Sequence, residues 1–127
     1  MGFNRPFTAG TNTLLKTFTQ LTAVGVTAVE VVEGLKNHSF VVTLANVDTD
    51  VDFQFDGSVD GTIFVAMEIE TAAVTGYTLA ETLVTATVDG DYEFFFKNRV
   101  LKQIRFNFVA ENGGTAATLD VAYLAVD

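Results

Sequence analysis

The feature that most constrains this chain is a series of short runs in which apolar and polar residues alternate. In residues 92–96, for example, Tyr92, Phe94 and Phe96 occupy every second position. Because successive side chains of a β-strand point to opposite faces, this alternation predicts strands that each bury one face. Comparable runs occupy residues 40–44, 51–55, 63–69, 104–108 and 119–125.

Short dipeptides that favour tight turns separate these runs. They are Asp56-Gly57, Asp60-Gly61, Asp89-Gly90 and, with a second glycine, Asn112-Gly113-Gly114. Aspartate, asparagine and glycine tolerate the positive φ that tight hairpin turns require. Residues 88–92 accordingly predict a two-stranded hairpin that turns at Asp89-Gly90.

Two segments are less regular than the rest. Residues 21–35 predict one bent strand interrupted at Gly25, and residues 71–82 predict a long loop or a loop with a short strand. No segment keeps a helical period over three turns. The sequence therefore predicts an all-β fold, an antiparallel two-sheet sandwich of jelly-roll type with about eight strands. We expect an extended N-terminal arm at residues 1–11 and a single sandwich domain at residues 12–127.

Charge and composition narrow the function classes. The chain of 127 residues has a formal net charge of −9, with only seven lysines and arginines. Binding to nucleic acid or to anionic lipid requires clustered cationic side chains, so we expect neither kind of partner. There is no cysteine, which excludes disulfides and thiolate chemistry. Apolar stretches are interrupted well before the length of a membrane span, and no cofactor is expected.

Catalytic residue types are scarce. His38 is the only histidine, and Ser39 and Ser58 are the only serines. His38 and Ser39 are adjacent on a strand and point to opposite faces, so they cannot pair as base and nucleophile. We interpret His38 as a strand-edge residue and Ser58 as a turn residue. Glu68 and Glu70 share one face of a predicted strand, which is common on solvated strands, and we expect no enzyme.

The nearest approach to a metal motif is Asp48-Thr49-Asp50-Val51-Asp52. It resembles the start of a calcium loop, but Phe53 and Val59 occupy the positions that need glycine and a bidentate glutamate. A solvated acidic face is the preferred interpretation, and a weak calcium site shared between subunits at these aspartates is the alternative.

Four of the seven basic residues lie within nine positions: Lys97, Arg99, Lys102 and Arg105. They either balance nearby acids on the same molecule or form a patch that binds an acidic neighbour. Phe95 lies next to them, out of phase with the inward-facing aromatics, as expected of an exposed apolar anchor. The predicted interface comprises Phe95, Lys97, Arg99 and Arg105, together with Phe3, Arg5 and Phe7 of the arm.

A longer pattern resembles small β-sandwich virion proteins of tailed bacteriophages, of the capsid decoration (cement) type. An alternating strand runs into Gly57-Ser58-Val59-Asp60-Gly61-Thr62 and then into an aromatic residue, Phe64. The second half continues the resemblance in Gly90–Phe94, Lys102–Phe108 and Gly113–Val121. The likeness covers residues 38–126, and its motifs are structural rather than catalytic. Phe64 replaces the tryptophan often present in such proteins.

The resemblance implies a β-sandwich of the kind found on the outside of heads, in tails and on fibres of tailed phages. The small size, the negative charge and the lack of a DNA-binding surface favour a non-enzymatic decoration protein on the outer surface of the head, located in the virion and made in the bacterial cytoplasm. Its expected partners are the capsid protein and copies of itself, as a homotrimer. A tail or fibre protein and a carbohydrate-binding sandwich module remain the alternatives. The second of these is disfavoured because sugar-binding platforms are chiefly Trp and Tyr, and this chain has no Trp and three Tyr.

Overall fold

The computed structural model describes residues 13–69 and 77–127, and this part of the chain contains strands and no helix. Eight strands have four or more residues, and three have two. In chain order they are β1 (Thr13–Thr17), β2 (Gly25–Val26), β3 (Glu30–Val31), β4 (Asn37–Ala45), β5 (Asp50–Ser58), β6 (Val65–Ala66), β7 (Tyr77–Ala80), β8 (Leu83–Ala86), β9 (Gly90–Phe96), β10 (Gln103–Asn112) and β11 (Thr118–Val126).

The strands form two antiparallel sheets. Sheet A has the order β1-β11-β4-β9, and sheet B has the order β2-β10-β5-β8-β7. The short strands β3 and β6 add to sheet B by pairing with β10 and β5. The predicted all-β sandwich is therefore confirmed. No described segment is a helix of the kind that could cross a membrane.

The core consists of the inward faces that the alternation predicts. In β4, β9 and β11 every second residue is buried, and the same holds for the first halves of β5 and β10. Phe55 of sheet B is central, because its ring centroid lies 4.5 Å from that of Phe40 and 5.0 Å from that of Phe94, both in sheet A. Such tilted ring pairs stabilise the contact beyond the area they bury. Aromatic packing thus joins the two sheets.

The predicted hairpin at Asp89-Gly90 is wrong. β8 pairs with β5 and β7 in sheet B, whereas β9 pairs with β4 in sheet A, so the turn carries the chain from one sheet to the other. The Asp89 carboxylate accepts hydrogen bonds from the backbone N–H groups of Asn46 and Val47, at 3.1 and 2.9 Å. The turn residues therefore tie together two crossings between the sheets, one before β9 and one after β4.

Asp56-Gly57 is not a turn either, because both residues are buried within β5. A Cβ at Gly57 would lie 2.9 Å from the methyl groups of Leu101, so glycine is needed for the close approach of that side chain. Asp60-Gly61 is a turn as predicted. Its Asp60 carboxylate accepts hydrogen bonds from the N–H groups of Thr62 and Ile63 at 2.8 and 2.9 Å, and these bonds lower the pKa of Asp60.

The predicted strand at residues 63–69 shrinks to the two residues of β6. Two strands pair with the edge of β5 that is not paired with β10. β8 pairs with Val51–Phe53, so β6 pairs only with Asp56 and Gly57. Ile63 and Val65 are consequently exposed, whereas Met67 and Ile69 are buried.

The two less regular segments form short pieces. Residues 21–35 contain β2 and β3, both paired with β10, in place of one bent strand. Residues 77–80 form the strand β7, which confirms the alternative of a loop with a short strand for that part of the segment. The predicted arm at residues 1–11 lies outside the described residues.

Candidate interaction surface

The outer face of sheet A carries a row of side chains across its four strands, and three of these four side chains are large and apolar. Strand register places Leu15 opposite Leu124, Leu124 opposite Ser39, and Ser39 opposite Phe95. Phe95 is 46% exposed and Leu15 is 75% exposed, which is high for side chains of this size. A groove of about 260 Å³ runs between them over Val41 and Ala122. We call the row and its groove the sheet A row.

Phe95 faces outward as its phase predicts, but the sequence did not single out Leu15 and Leu124. The sequence pattern that could have identified them is the one that identifies Phe95. Leu124 lies between Tyr123 and Ala125, both buried, so it is a large apolar residue out of phase with the inward face. In a strand whose inner positions are settled, such a residue marks the outer face.

The basic cluster of the sequence is divided between the two faces of the sandwich. Lys97 directly follows β9 of sheet A, whereas Arg105 lies within β10 of sheet B. Because the inner faces of the sheets pack together, their outer faces point in opposite directions. One patch cannot contain Phe95, Lys97 and Arg105 together, and the prediction of a single surface is corrected in that respect.

Arg105 binds a buried carboxylate of its own chain. Its Nε donates to Asp56 Oδ2 at 3.0 Å, and Asp56 is 2% exposed. The amide groups of Gln54 and Asn107 donate to the same carboxylate at 2.9 and 3.3 Å. The guanidinium stacks on Phe64, 4.2 Å from the ring centroid. A buried charge needs such compensation, so Arg105 fits the alternative that basic residues balance acids on the same molecule.

Arg99 connects loops at one end of the sandwich. Its guanidinium donates to the backbone oxygen of Glu68 at 2.9 Å, and its backbone N–H donates to the oxygen of Lys36 at 2.8 Å. Lys97 is exposed and makes no salt bridge with a carboxylate in the described ranges. Of the predicted interface residues, Phe95 and Lys97 therefore line one surface. Phe3, Arg5 and Phe7 lie outside the described residues.

His38 is buried rather than at a strand edge, which corrects the sequence interpretation. It is 1% exposed, on β4 between two neighbouring strands. Its Nε2 donates to the backbone oxygen of Arg99 at 3.0 Å, so Nδ1 accepts the hydrogen bond from the Tyr123 hydroxyl at 2.6 Å. Burial raises the pKa of Tyr123, which keeps this hydroxyl protonated as a donor. Both ring nitrogens of His38 are thus occupied.

We expect His38 to make the fold sensitive to mild acid. Burial lowers the pKa of His38 below 6.5, so below that pH the unfolded chain takes up a proton that the folded chain does not. The free energy of unfolding should therefore fall as pH drops from 7 to 5.5, by at most about 1.4 kcal/mol per pH unit. Urea unfolding at several pH values measures this dependence, and His38→Gln should flatten it. Equal slopes for both proteins would contradict the assignment.

Ser58 is also engaged inside the fold. It is buried at the end of β5, its hydroxyl donates to Asp60 at 3.2 Å, and it accepts the N–H of Gly61 at 2.8 Å. The hydroxyl therefore stabilises the Asp60-Gly61 turn, in agreement with its interpretation as a turn residue. Glu68 lies outside any strand, and Glu70 is outside the described residues.

The three aspartates of the calcium-like sequence do not converge. Asp50 accepts a hydrogen bond from the Asn112 amide and Asp52 from the Thr85 hydroxyl, each at 2.6 Å. Asp48 precedes β5 and packs against Gly114. Within the described residues, no three acidic or histidine side chains are placed to hold a metal ion. A site shared between subunits stays a prediction.

A second apolar cavity opens beside the Asp60-Gly61 turn. It has a volume of about 350 Å³, and its lining includes Val59, Ile63, Val65, Met67 and Leu101. It lies beside β6, which spans only two residues, and next to the exposed side chains of Ile63 and Val65.

Comparison with known proteins gives one structural likeness. No protein-family model matches this chain, and no curated protein matches it by sequence. The crystal structure of the SPBc2 prophage-derived protein YomS is similar, with a TM-score of 0.59 and 14% sequence identity. The likeness covers 91% of this chain and 94% of the YomS chain.

The likeness to YomS establishes a shared fold. Because it extends over nearly the whole length of both chains, it concerns the complete sandwich rather than one hairpin or one sheet. At 14% identity it assigns no role to individual residues. The sheet A row and the Arg105–Asp56 pair therefore rest on the geometry of this chain alone.

Proposed function

We propose that this chain is a non-enzymatic structural protein of a bacteriophage particle, bound to the outer surface of the head as a decoration protein. The observation that carries the proposal is the likeness to the prophage-derived protein YomS over 91% of the chain. The partners we propose are the capsid protein and further copies of this chain, and the location is the virion.

The charge distribution supports the outer side of a shell rather than the side that faces DNA. The net charge is −9, and at least two of the basic residues that the structure describes are engaged with acids of the same chain. Arg105 pairs with Asp56, and Lys16 lies 3.5 Å from Glu30. Few cations are left to neutralise phosphates, and the salt-dependent affinity of DNA-binding proteins arises from that neutralisation.

The side chains that a hydrolase would use support a role without catalysis. His38 cannot serve as a general base while both of its nitrogens are hydrogen-bonded inside the fold. The Ser58 hydroxyl is held by its own turn. A sugar-binding role has less support, because Tyr92 and Tyr123 are buried and cannot act as exposed platforms.

The test is to locate the chain in particles of the phage that encodes it. We expect it in gradient-purified virions, in a fixed ratio to the major capsid protein, and we expect labelled antibody to bind heads. Deletion of the gene should leave heads assembled but bare of one outer density in cryo-electron microscopy. Antibody labelling of tails would instead favour the tail alternative. Absence from purified particles would contradict a virion role altogether.

A further inference from the structure

The sheet A row lies in the middle of an outer face whose charge changes along the strands. On the β9 side, Lys97 stands one outward-facing position beyond Phe95, and Glu93 stands one position before it. Asp91 and Asp120 follow on the side of Glu93, and both are exposed. The face therefore has a single lysine, Lys97, at one end, an apolar middle and an acidic end.

The apolar middle of the face contains both a projecting side chain and a groove, and both are apolar. Phe95 projects from β9, and the groove over Val41 and Ala122 lies beside it, bounded by Leu15 and Leu124. Large apolar side chains that stand together on a monomer surface mark contact sites more often than scattered ones do. The row spans all four strands of sheet A, so the contact it offers is a broad one.

We propose that a second copy of this chain binds the outer face of sheet A about a two-fold axis that crosses the strands. Such an axis reverses the strand direction in the second copy, so Lys97 of each molecule meets the acidic end of the other near Glu93. At the same time Phe95 of each copy faces the apolar middle of its neighbour. A two-fold interface uses the same patch on both subunits and therefore requires this kind of self-complementarity.

The size of the face sets the expected strength of the contact. Four strands at about 4.8 Å spacing, over seven residues at about 3.3 Å, give a face of roughly 450 Å². Stable interfaces bury about 800 Å² on each partner. We therefore expect dimers with a dissociation constant in the micromolar range. This inference does not depend on a role in a phage particle.

Sedimentation velocity of the purified chain, from nanomolar to high micromolar concentration, tests the contact. The wild type should shift from monomer to dimer, and Phe95→Asp should weaken dimerisation more than about tenfold, since it places a charge within the apolar part of the contact. Leu15→Asp, on β1, should have a similar effect. Val59→Asp is the matched control, because Val59 is as exposed as Leu15 but lies by the Asp60-Gly61 turn. It should dimerise as the wild type does.

A charge exchange tests the two-fold arrangement. Glu93 and Lys97 are four residues apart along one strand, roughly 13 Å, so they do not pair within a molecule. Lys97→Glu should weaken dimerisation about three- to tenfold, and adding Glu93→Lys to it should restore the wild-type constant to within about threefold. The double variant restores dimerisation only if residue 97 of one copy lies next to residue 93 of the other, with the strands of the two copies running in opposite directions.

Several results would overturn the inference. A wild type that stays monomeric at high micromolar concentration would remove the contact. A folded Phe95→Asp protein, verified by far-UV circular dichroism, that dimerises normally would place the contact elsewhere. Trimers without dimers, or no recovery in the double exchange, would exclude the two-fold axis.

Discussion

Replacing Arg105 with methionine should lower the free energy of unfolding by about 2–4 kcal/mol, because it leaves a buried carboxylate without its cation. Asp56 is 2% exposed and would retain only the two amide donors of Gln54 and Asn107. Urea or guanidinium unfolding at neutral pH measures the change. Lys97→Met is the matched control and should change stability by less than about 0.5 kcal/mol, since Lys97 is exposed.

A second substitution separates two contributions of Arg105 to the free energy of unfolding, its charge and the packing of its side chain. Asp56→Asn in the Arg105→Met background removes the uncompensated charge, so the double variant should be more stable than Arg105→Met alone. If Arg105→Met costs no more than Lys97→Met, the Asp56 pair is a minor surface contact. Arg105 would then be available for binding a partner, as the sequence first indicated.

Replacing Phe55 with alanine should cost about 3–5 kcal/mol, the range for removing a buried aromatic ring from a core. The ring contacts aromatic residues of both sheets, with centroids 5.3 Å from those of Phe96 and Phe106. Its loss opens a cavity at the junction of the sandwich. Phe95→Ala, forty residues along and on the outer face, should cost less than about 1 kcal/mol. Chemical unfolding of both variants under one condition gives the comparison.

A small loss for Phe55→Ala would mean that the core relaxes around the missing ring and that the two sheets do not depend on it. A large loss for Phe95→Ala would mean that its ring packs within the monomer. That second result would also remove the aromatic side chain from the sheet A row.

The alternation of residues predicts most of the aromatic core, although Ile63 and Val65 of the predicted 63–69 strand are exposed. The spacing alone places Phe53, Phe55 and Phe94 on inward faces, and all three are buried. The reason is that a strand with one apolar phase has only one face it can bury. The same reasoning places Phe95 outward, so local pattern identifies one of the three large apolar side chains of the sheet A row.

The partner of each strand was not accessible from local pattern. Asp89-Gly90 indicates a reversal but does not determine which sheet the next strand joins, and here it joins the other one. For the same reason, spacing along the sequence groups the four cations of residues 97–105 into one cluster. The chain changes sheets between β9 and β10, which separates Lys97 from Arg105. The prediction of a turn at Asp56-Gly57 is wrong for a different reason. The buried Asp56 carboxylate binds Arg105, and Leu101 packs closely on Gly57, so both residues are held within a strand.

The position of β11 has a consequence for the order in which the chain folds. β11 follows every other described strand in the sequence, yet it lies between β1 and β4, with Thr13 paired to Val126 and Leu44 to Leu119. A growing chain on the ribosome therefore cannot complete sheet A until β11 has emerged, and pairing so distant in sequence slows folding. Until then one edge of β4 is unpaired, and the β11 strand of another molecule can pair with it in the same position.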